Sequence, residues 1–190
     1  MSSPWGNDDH SWQDEEQPAE YRSRRRAPPC RDGDSQLTEL VKEAPGGRDW
    51  LRELKFDGYR IPARLDHGSV RLLTRTGLDW THKYPSIAKA LRARPAWQAY
   101  LDGELCGVRP NGTTSFDMIQ AASEPGNAAA LVFFFLFDLL HLNGEDLLWV
   151  PLRDRKARLQ WLLGGLGALQ YSDHQTGRGP SFTPKRARWA

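Results

Sequence analysis

The stretch ALVFFFLFDLLHL, residues 130–142, decides the fold, because it is either a membrane segment or the middle of a sheet. Crossing a bilayer takes about 20 consecutive apolar residues. This run is shorter and carries Asp138 within it. It ends at Asn143-Gly144, a turn pair. A short apolar run rich in aromatic residues and bounded by a turn reads as a strand buried on both faces. No membrane association is expected.

Moving towards the amino terminus, YLDGELCGV (100–108) is a second strand, closed by the turn RPNGT (109–113), and SFDMIQAA (115–122) starts a helix after Ser115. YPSIAKALRA (84–93) is helical, with Tyr84, Ile87, Ala88 and Leu91 on one stripe. In WLRELKFDGYRIPARL (50–65) the apolar period falls to two. Leu54 and Phe56 face one side of a strand there, and Glu53, Lys55 and Asp57 face the other. DHGS (66–69) is a turn from which VRLLTRTG (70–77) pairs back as the second strand of a hairpin. SQLTELVKEA (35–44) is a short helix with Ser35 as its cap. Towards the carboxyl terminus, LRDRKARLQWLLGGL (152–166) is an amphipathic helix ended by its glycines, and LQYSD (169–173) is a last short strand. The sum is a mixed α/β chain dominated by hairpins, without the regular β-α-β alternation of a doubly wound sheet.

The 190 residues suit one domain of ordinary size, or one domain plus a flexible end. A composition 39% hydrophobic and 26% charged is that of a soluble globular chain. A net charge of +2 does not by itself point to nucleic acid. Cys30 and Cys106 stand far apart with no CxxC spacing, so they read as free thiols of a reducing cytoplasm rather than a disulfide or a zinc site. MSSPWGNDDHSWQDEE (1–16) is acidic and lacks the apolar run of a secretory signal. Residues 1–34 are polar and irregular and are expected to form a disordered leader. Within it Arg22, Arg24, Arg25 and Arg26 make a solvated basic patch with a weaker claim to phosphate contacts.

The common phosphate-binding signatures are absent from the sequence, which has no GxxxxGK[ST] and no GxGxxG. It also has no histidine pair at metal-ligand spacing and no GxSxG elbow. Other motifs stand in a fixed order: ELKFDGYR (53–60), LLTRTGLDWT (72–81), LDGELCGV (101–108) and FFLFDLLHLNGEDL (134–147). Together they resemble the adenylation domain of ATP-dependent DNA ligases. The likeness is nearest to the bacterial ligases of the end-joining type, which often read W-L-x-E-x-K-F-D-G-Y-R. It runs from Ser35 to Phe182 and implies an ATP-grasp-like α/β (α+β) fold with antiparallel sheets and flanking helices.

An amine attacks an α-phosphate only when neutral, so a nucleophilic lysine needs burial or neighbouring cations to shed its proton near pH 7. The resemblance makes Lys55 that nucleophile, forming a phosphoramidate with AMP and releasing pyrophosphate, while Gly58 lets the backbone approach the ligand. By the same resemblance Arg60 lies near the ribose and phosphate and Arg75 holds the phosphate. Glu104 bonds the ribose hydroxyls and faces a metal, and Phe137 stacks on adenine while backbone groups of Glu53 and Leu54 read its edge. Asp57 either orients Lys55 or contacts the cation. The plain alternatives are a solvated lysine on a wet strand face, ordinary surface arginines and a core phenylalanine. The implied cofactors are ATP and magnesium or manganese. The implied substrate is nicked or broken double-stranded DNA, the implied partners are end-joining repair proteins, and the implied place is the bacterial cytoplasm, at the nucleoid.

YSDHQTGRGPSF (171–182) keeps to the family's pattern, after which an E-G-x-V/I-x-K motif, a K-x-K motif and a small OB-fold domain are expected. The sequence continues instead as TPKRARWA (183–190), which points to a shortened gene or a shifted reading frame and to impaired strand sealing. The expected organisation is a leader over 1–34, a partial adenylation domain over 35–182 and a divergent basic tail over 183–190. Two rival readings remain. One is a non-catalytic remnant, either inert or a weak nucleic-acid binder. The other is an RNA ligase or capping guanylyltransferase, since those also use K-x-D-G; LDGEL with FDLLHLNGEDL favours the DNA ligases.

Overall fold

The computed structural model describes Lys42 and residues 47–123, 131–164 and 167–177. The expected leader, all but Lys42 of the helix expected over 35–44, Cys30 and the tail over 183–190 lie outside the described residues. In chain order the strands are β1 (Leu51–Glu53), β2 (Tyr59–Arg60), β3 (Ala63–Asp66), β4 (Ser69–Leu72), β5 (Gln98–Val108), β6 (Thr114–Ser115), β7 (Val132–Leu142), β8 (Glu145–Asp146), β9 (Leu169–Tyr171) and β10 (His174–Thr176). The helices are α1 (Pro85–Arg92), α2 (Phe116–Ala122) and α3 (Leu152–Leu163), with a 3-10 turn at Thr81–Lys83.

Residues 132–142 of the apolar run form β7, and both of its faces are buried. Phe134, Leu136 and Leu139 enter the main core, while Phe135 packs on the opposite side with Cys106, Val108 and Phe56. Each fully buried side chain of this size contributes about 1.5–3 kcal/mol, so an uninterrupted apolar strand suits a central position. β7 pairs antiparallel with β5 over nearly its whole length. Outward from that pair the larger sheet runs β4-β3-β5-β7-β8, with β2 and β6 also on β5 and β9 parallel to β7. A second, two-stranded sheet joins β1 to β10. Three helices pack on the main core, α2 through Ile119 alone. From α1 come Ile87, Ala88 and Leu91, preceded by buried Tyr84, and from α3 come Leu159, Leu162 and Leu163. Pro85 opens α1, where a missing N–H costs nothing, and Gly164, left-handed at φ 65°, closes α3. The result is a mixed α/β fold with largely antiparallel sheets. Among the described residues no helix is long and apolar enough to cross a membrane.

Three expectations are corrected. The strand expected from Trp50 onwards is broken, so residues 54–57, including Lys55, belong to no strand. Glu53 and Lys55 therefore do not share one strand face. The returning strand of the hairpin is only four residues long, β4, and Arg75 falls on the turn beyond it. The last strand, expected over 169–173, stops at Tyr171 and is followed by β10.

Candidate functional site

The segment 54–58 between β1 and β2 is held from below by β5. Gly58 N–H donates to Glu104 Oε1 at 2.8 Å. A Cβ on Gly58 would lie 2.1 Å from the Leu105 carbonyl oxygen, so the backbone can come this close only as glycine. The close approach is therefore to β5, where the sequence suggested a ligand. Asp57 fixes the other side, since its N–H donates to Thr114 Oγ1 at 3.3 Å and its Oδ2 accepts from Phe116 N–H at 3.3 Å. Phe56, between them, stacks on Phe135 at 4.2 Å. Lys55 stands at the tip. It is exposed, and its Nζ reaches the Phe56 carbonyl oxygen at 3.5 Å. The burial expected to neutralise it is not supplied by the described residues.

Glu104 is half-buried in mid-strand. Burial raises its pKa above the ordinary carboxylate value, with Asp57 adding to the rise and the Gly58 N–H, Lys55 and Arg60 opposing it. Lys55, Asp57, Arg60 and Glu104 thus share one electrostatic neighbourhood. Arg60 faces Glu104 across the β2–β5 pair, and the diagonal neighbour Asp102 grips it through Nε at 3.2 Å and Nη2 at 2.7 Å. That hydrogen bond leads the causes that raise the Arg60 pKa. Arg60 and Gly58 line a cleft of about 580 Å³ together with Thr74, Arg75 and Trp80, a volume that suits a small ligand. Arg75 is exposed there, on a turn whose Thr74 N–H donates to the Leu78 carbonyl at 2.9 Å.

The other expected residues adjoin this cluster. Phe137 is half-buried on β7, with the Arg60 guanidinium carbon 5.5 Å from its ring centroid. Leu54 is half-buried at the start of the tip segment. The Glu53 carboxylate turns inward and meets Lys156 of α3 and the Ser172 hydroxyl. Lys156, Ser172 and Asp102 escaped the sequence reading. Asp102 had a signal, because it lies two residues before Glu104 and period two puts both on one face. Lys156 had a subtler one, since it falls on the apolar stripe of its helix.

A family model described as the ATP dependent DNA ligase domain matches residues 30–180. The multifunctional non-homologous end joining protein LigD of Pseudomonas aeruginosa is 44% identical over 130 residues, which are 68% of this chain and 15% of that protein. The crystal structure of the ligase domain from M. tuberculosis LigD superposes with a TM-score of 0.55 at 32% identity, covering 68% of this chain and 41% of that one. A mycobacterial DNA ligase D complexed with ATP and MES gives the same TM-score and coverage at 33% identity. The chain thus spans under a fifth of the curated relative's length and under half of the solved ligase domains.

Proposed function

The chain belongs to the ATP-dependent DNA ligase domain family, and from that premise we propose that it is an adenylation domain whose Lys55 takes AMP from ATP in the first step of joining DNA strands. The observation that carries this is the closure of the Lys55–Gly58 tip onto Glu104 by the 2.8 Å Gly58 bond, beside a cleft lined by two arginines. Lys55 Nζ, once neutral, attacks the α-phosphorus. The N–P bond forms as the bond to the pyrophosphate oxygen breaks, pyrophosphate leaves, and the amine proton passes to solvent. Arg60, its fork already fixed by Asp102, and Arg75, on its tight turn, bind the phosphates as negative charge shifts towards the leaving group. Glu104 takes the ribose hydroxyls through the oxygen not used by Gly58, Phe137 offers a ring to the adenine, and the backbone of Glu53 and Leu54 reads its edge.

The carboxylate pair also suits magnesium or manganese. Among the described residues no group of three acidic or histidine side chains converges. Magnesium, however, is commonly held by one or two carboxylates plus substrate phosphates and water. Asp57 and Glu104 are such a pair, close enough that the charge of one raises the pKa of the other. When bound, the metal neutralises triphosphate charge. In the following steps AMP passes to a DNA 5′-phosphate and a 3′-hydroxyl displaces it. The proposed DNA is nicked or broken and double-stranded, the proposed partners are end-joining repair proteins, the proposed place is the bacterial cytoplasm at the nucleoid, and the proposed extent of the domain is 35–182.

Incubation with α-labelled ATP and magnesium tests the reading. A covalent label on the wild-type chain that is lost in Lys55→Ala is the expected result. Label absent from both, or retained by the variant, defeats it. Exchanging ATP for GTP, and nicked DNA for RNA, separates it from the RNA ligase and capping alternatives.

A further inference from the structure

Lys156 is fully buried, at 0% exposure, on the inner face of α3. A lysine ammonium carries three N–H donors, and here each has an acceptor. These are Glu53 Oε1, the Phe137 carbonyl oxygen at 3.2 Å and the Ser172 carbonyl oxygen at 2.9 Å. The Tyr171 ring adds a fourth contact, with its centroid 4.8 Å from Nζ. Ser172, itself buried, sends its hydroxyl to the same Glu53 oxygen at 3.2 Å. A buried cation is tolerated only when paired and hydrogen-bonded, so none of these partners can drift without cost.

The acceptors come from separate parts of the chain. Glu53 ends β1 and leads directly into the Lys55 tip. Phe137 is the residue whose ring is assigned to adenine, and Ser172 joins β9 to β10. We propose that Lys156 is a positioning residue for the nucleotide pocket, fixing the direction in which β1 leaves towards Lys55 and the backbone beneath the Phe137 ring. The inference rests on the adenylation reading above, because that reading makes Glu53 and Phe137 pocket residues. It adds a group that touches no nucleotide and acts only through residues that do.

The test compares wild type, Lys156→Met and Glu53→Gln in the full chain. Lys156→Met keeps length and removes the charge. Glu53→Gln keeps size and an acceptor and weakens the pairing from the other end. The groups held by Lys156 flank the adenosine rather than the reacting phosphorus, so each substitution is expected to raise KM for ATP about tenfold with kcat for adduct formation changed by less than about threefold. The double variant is expected to be no worse than the poorer single, since Lys156→Met already removes the contact that Glu53→Gln weakens. An unchanged KM with a lower kcat per mole of chain is the mark of a smaller folded fraction, and it overturns the proposal. Should Lys156→Met fail to fold, Glu53→Gln carries the test alone, and failure of both to fold counts against it. Calorimetric titration with ATP separates this inference from the reading beneath it. A wild type that binds ATP without forming adduct refutes the adenylation reading, and about tenfold weaker binding by Lys156→Met still supports positioning. Equal binding by the two refutes positioning alone, and no binding by wild type refutes both.

Discussion

A Cβ built on Gly58 meets the Leu105 carbonyl oxygen at 2.1 Å and the Cys106 sulfur at 2.8 Å. Neither can swing aside, because the first is backbone in the middle of β5 and the second is fully buried beneath it. Gly58→Ala must therefore push the tip away from the sheet and weaken the bond to Glu104. Overpacking of this kind costs about 1–3 kcal/mol, to be read as a shift in the urea midpoint with unchanged slope. A variant as stable as wild type would mean that the tip does not rest on β5. Glu104 gives a second prediction at this scale. Its native pKa is raised, chiefly by burial, so the folded chain holds this proton more tightly than the unfolded one. The resulting stability is fully present below the unfolded glutamate value, about 4.3, and is lost as pH rises through the higher native pKa. Glu104→Gln removes that dependence. The unfolding free energy of wild type relative to the variant is expected to fall as pH rises from about 4.3, in denaturation series at several pH values. A flat or rising difference would contradict the raised pKa. The spacing of Lys55, Asp57, Gly58 and Glu104 was legible as a motif. What it could not disclose is that the glycine answers to Leu105, because a close contact between distant segments leaves no trace in local pattern.

At the scale of elements, β7 and α3 meet through a buried ion pair. Arg155 donates from Nε to Asp138 Oδ1 at 2.8 Å and from Nη2 to Oδ2 at 2.9 Å, and its Nη1 donates to the Val150 carbonyl at 2.8 Å. Asp138 Oδ1 also accepts the Leu139 N–H at 2.8 Å. Removing only the cation strands a charge in the core, so Arg155→Met is expected to cost about 3–5 kcal/mol. Adding Asp138→Asn should recover a substantial part of it, and a double-mutant cycle by chemical denaturation measures the coupling. Strict additivity would show that the pair contributes no mutual energy. The helix itself was readable from LRDRKARLQWLL. Its period places Leu152, Arg155, Lys156, Leu159, Leu162 and Leu163 on one stripe, with two charged residues where apolar ones belong. Such a breach of pattern announces buried partners without naming them, since Asp138 and Glu53 lie on different strands. Central strands declared themselves through apolar runs. β10 did not, because a three-residue strand like His174–Thr176 with no apolar alternation owes its state to the backbone of β1.

Across the whole molecule, stability is distributed unequally between the two sheets. β5 and β7 pair along most of their length, and their side chains fill the main core from Leu101 to Leu139. β1 and β10 pair over three residues, and none of the six is buried. What ties that small sheet to the rest is chiefly polar, through Lys156, Glu53 and Ser172. Local openings draw on regions with few buried apolar contacts. Native-state hydrogen exchange should therefore show Leu105 and Leu136 amides exchanging only with global unfolding, while amides of Arg52 and Gln175 exchange through a cheaper local opening. If ATP binds against the tip that follows β1, its binding energy is lost whenever this sheet opens. ATP at about a hundred times its dissociation constant should then add about 2.7 kcal/mol to the opening free energy at Arg52 and Gln175. The same increment belongs to global unfolding, so the gap between the two sheets should persist as both slow. Slowing confined to β5 and β7, with β1 and β10 unmoved, would place the nucleotide elsewhere and detach the small sheet from the site.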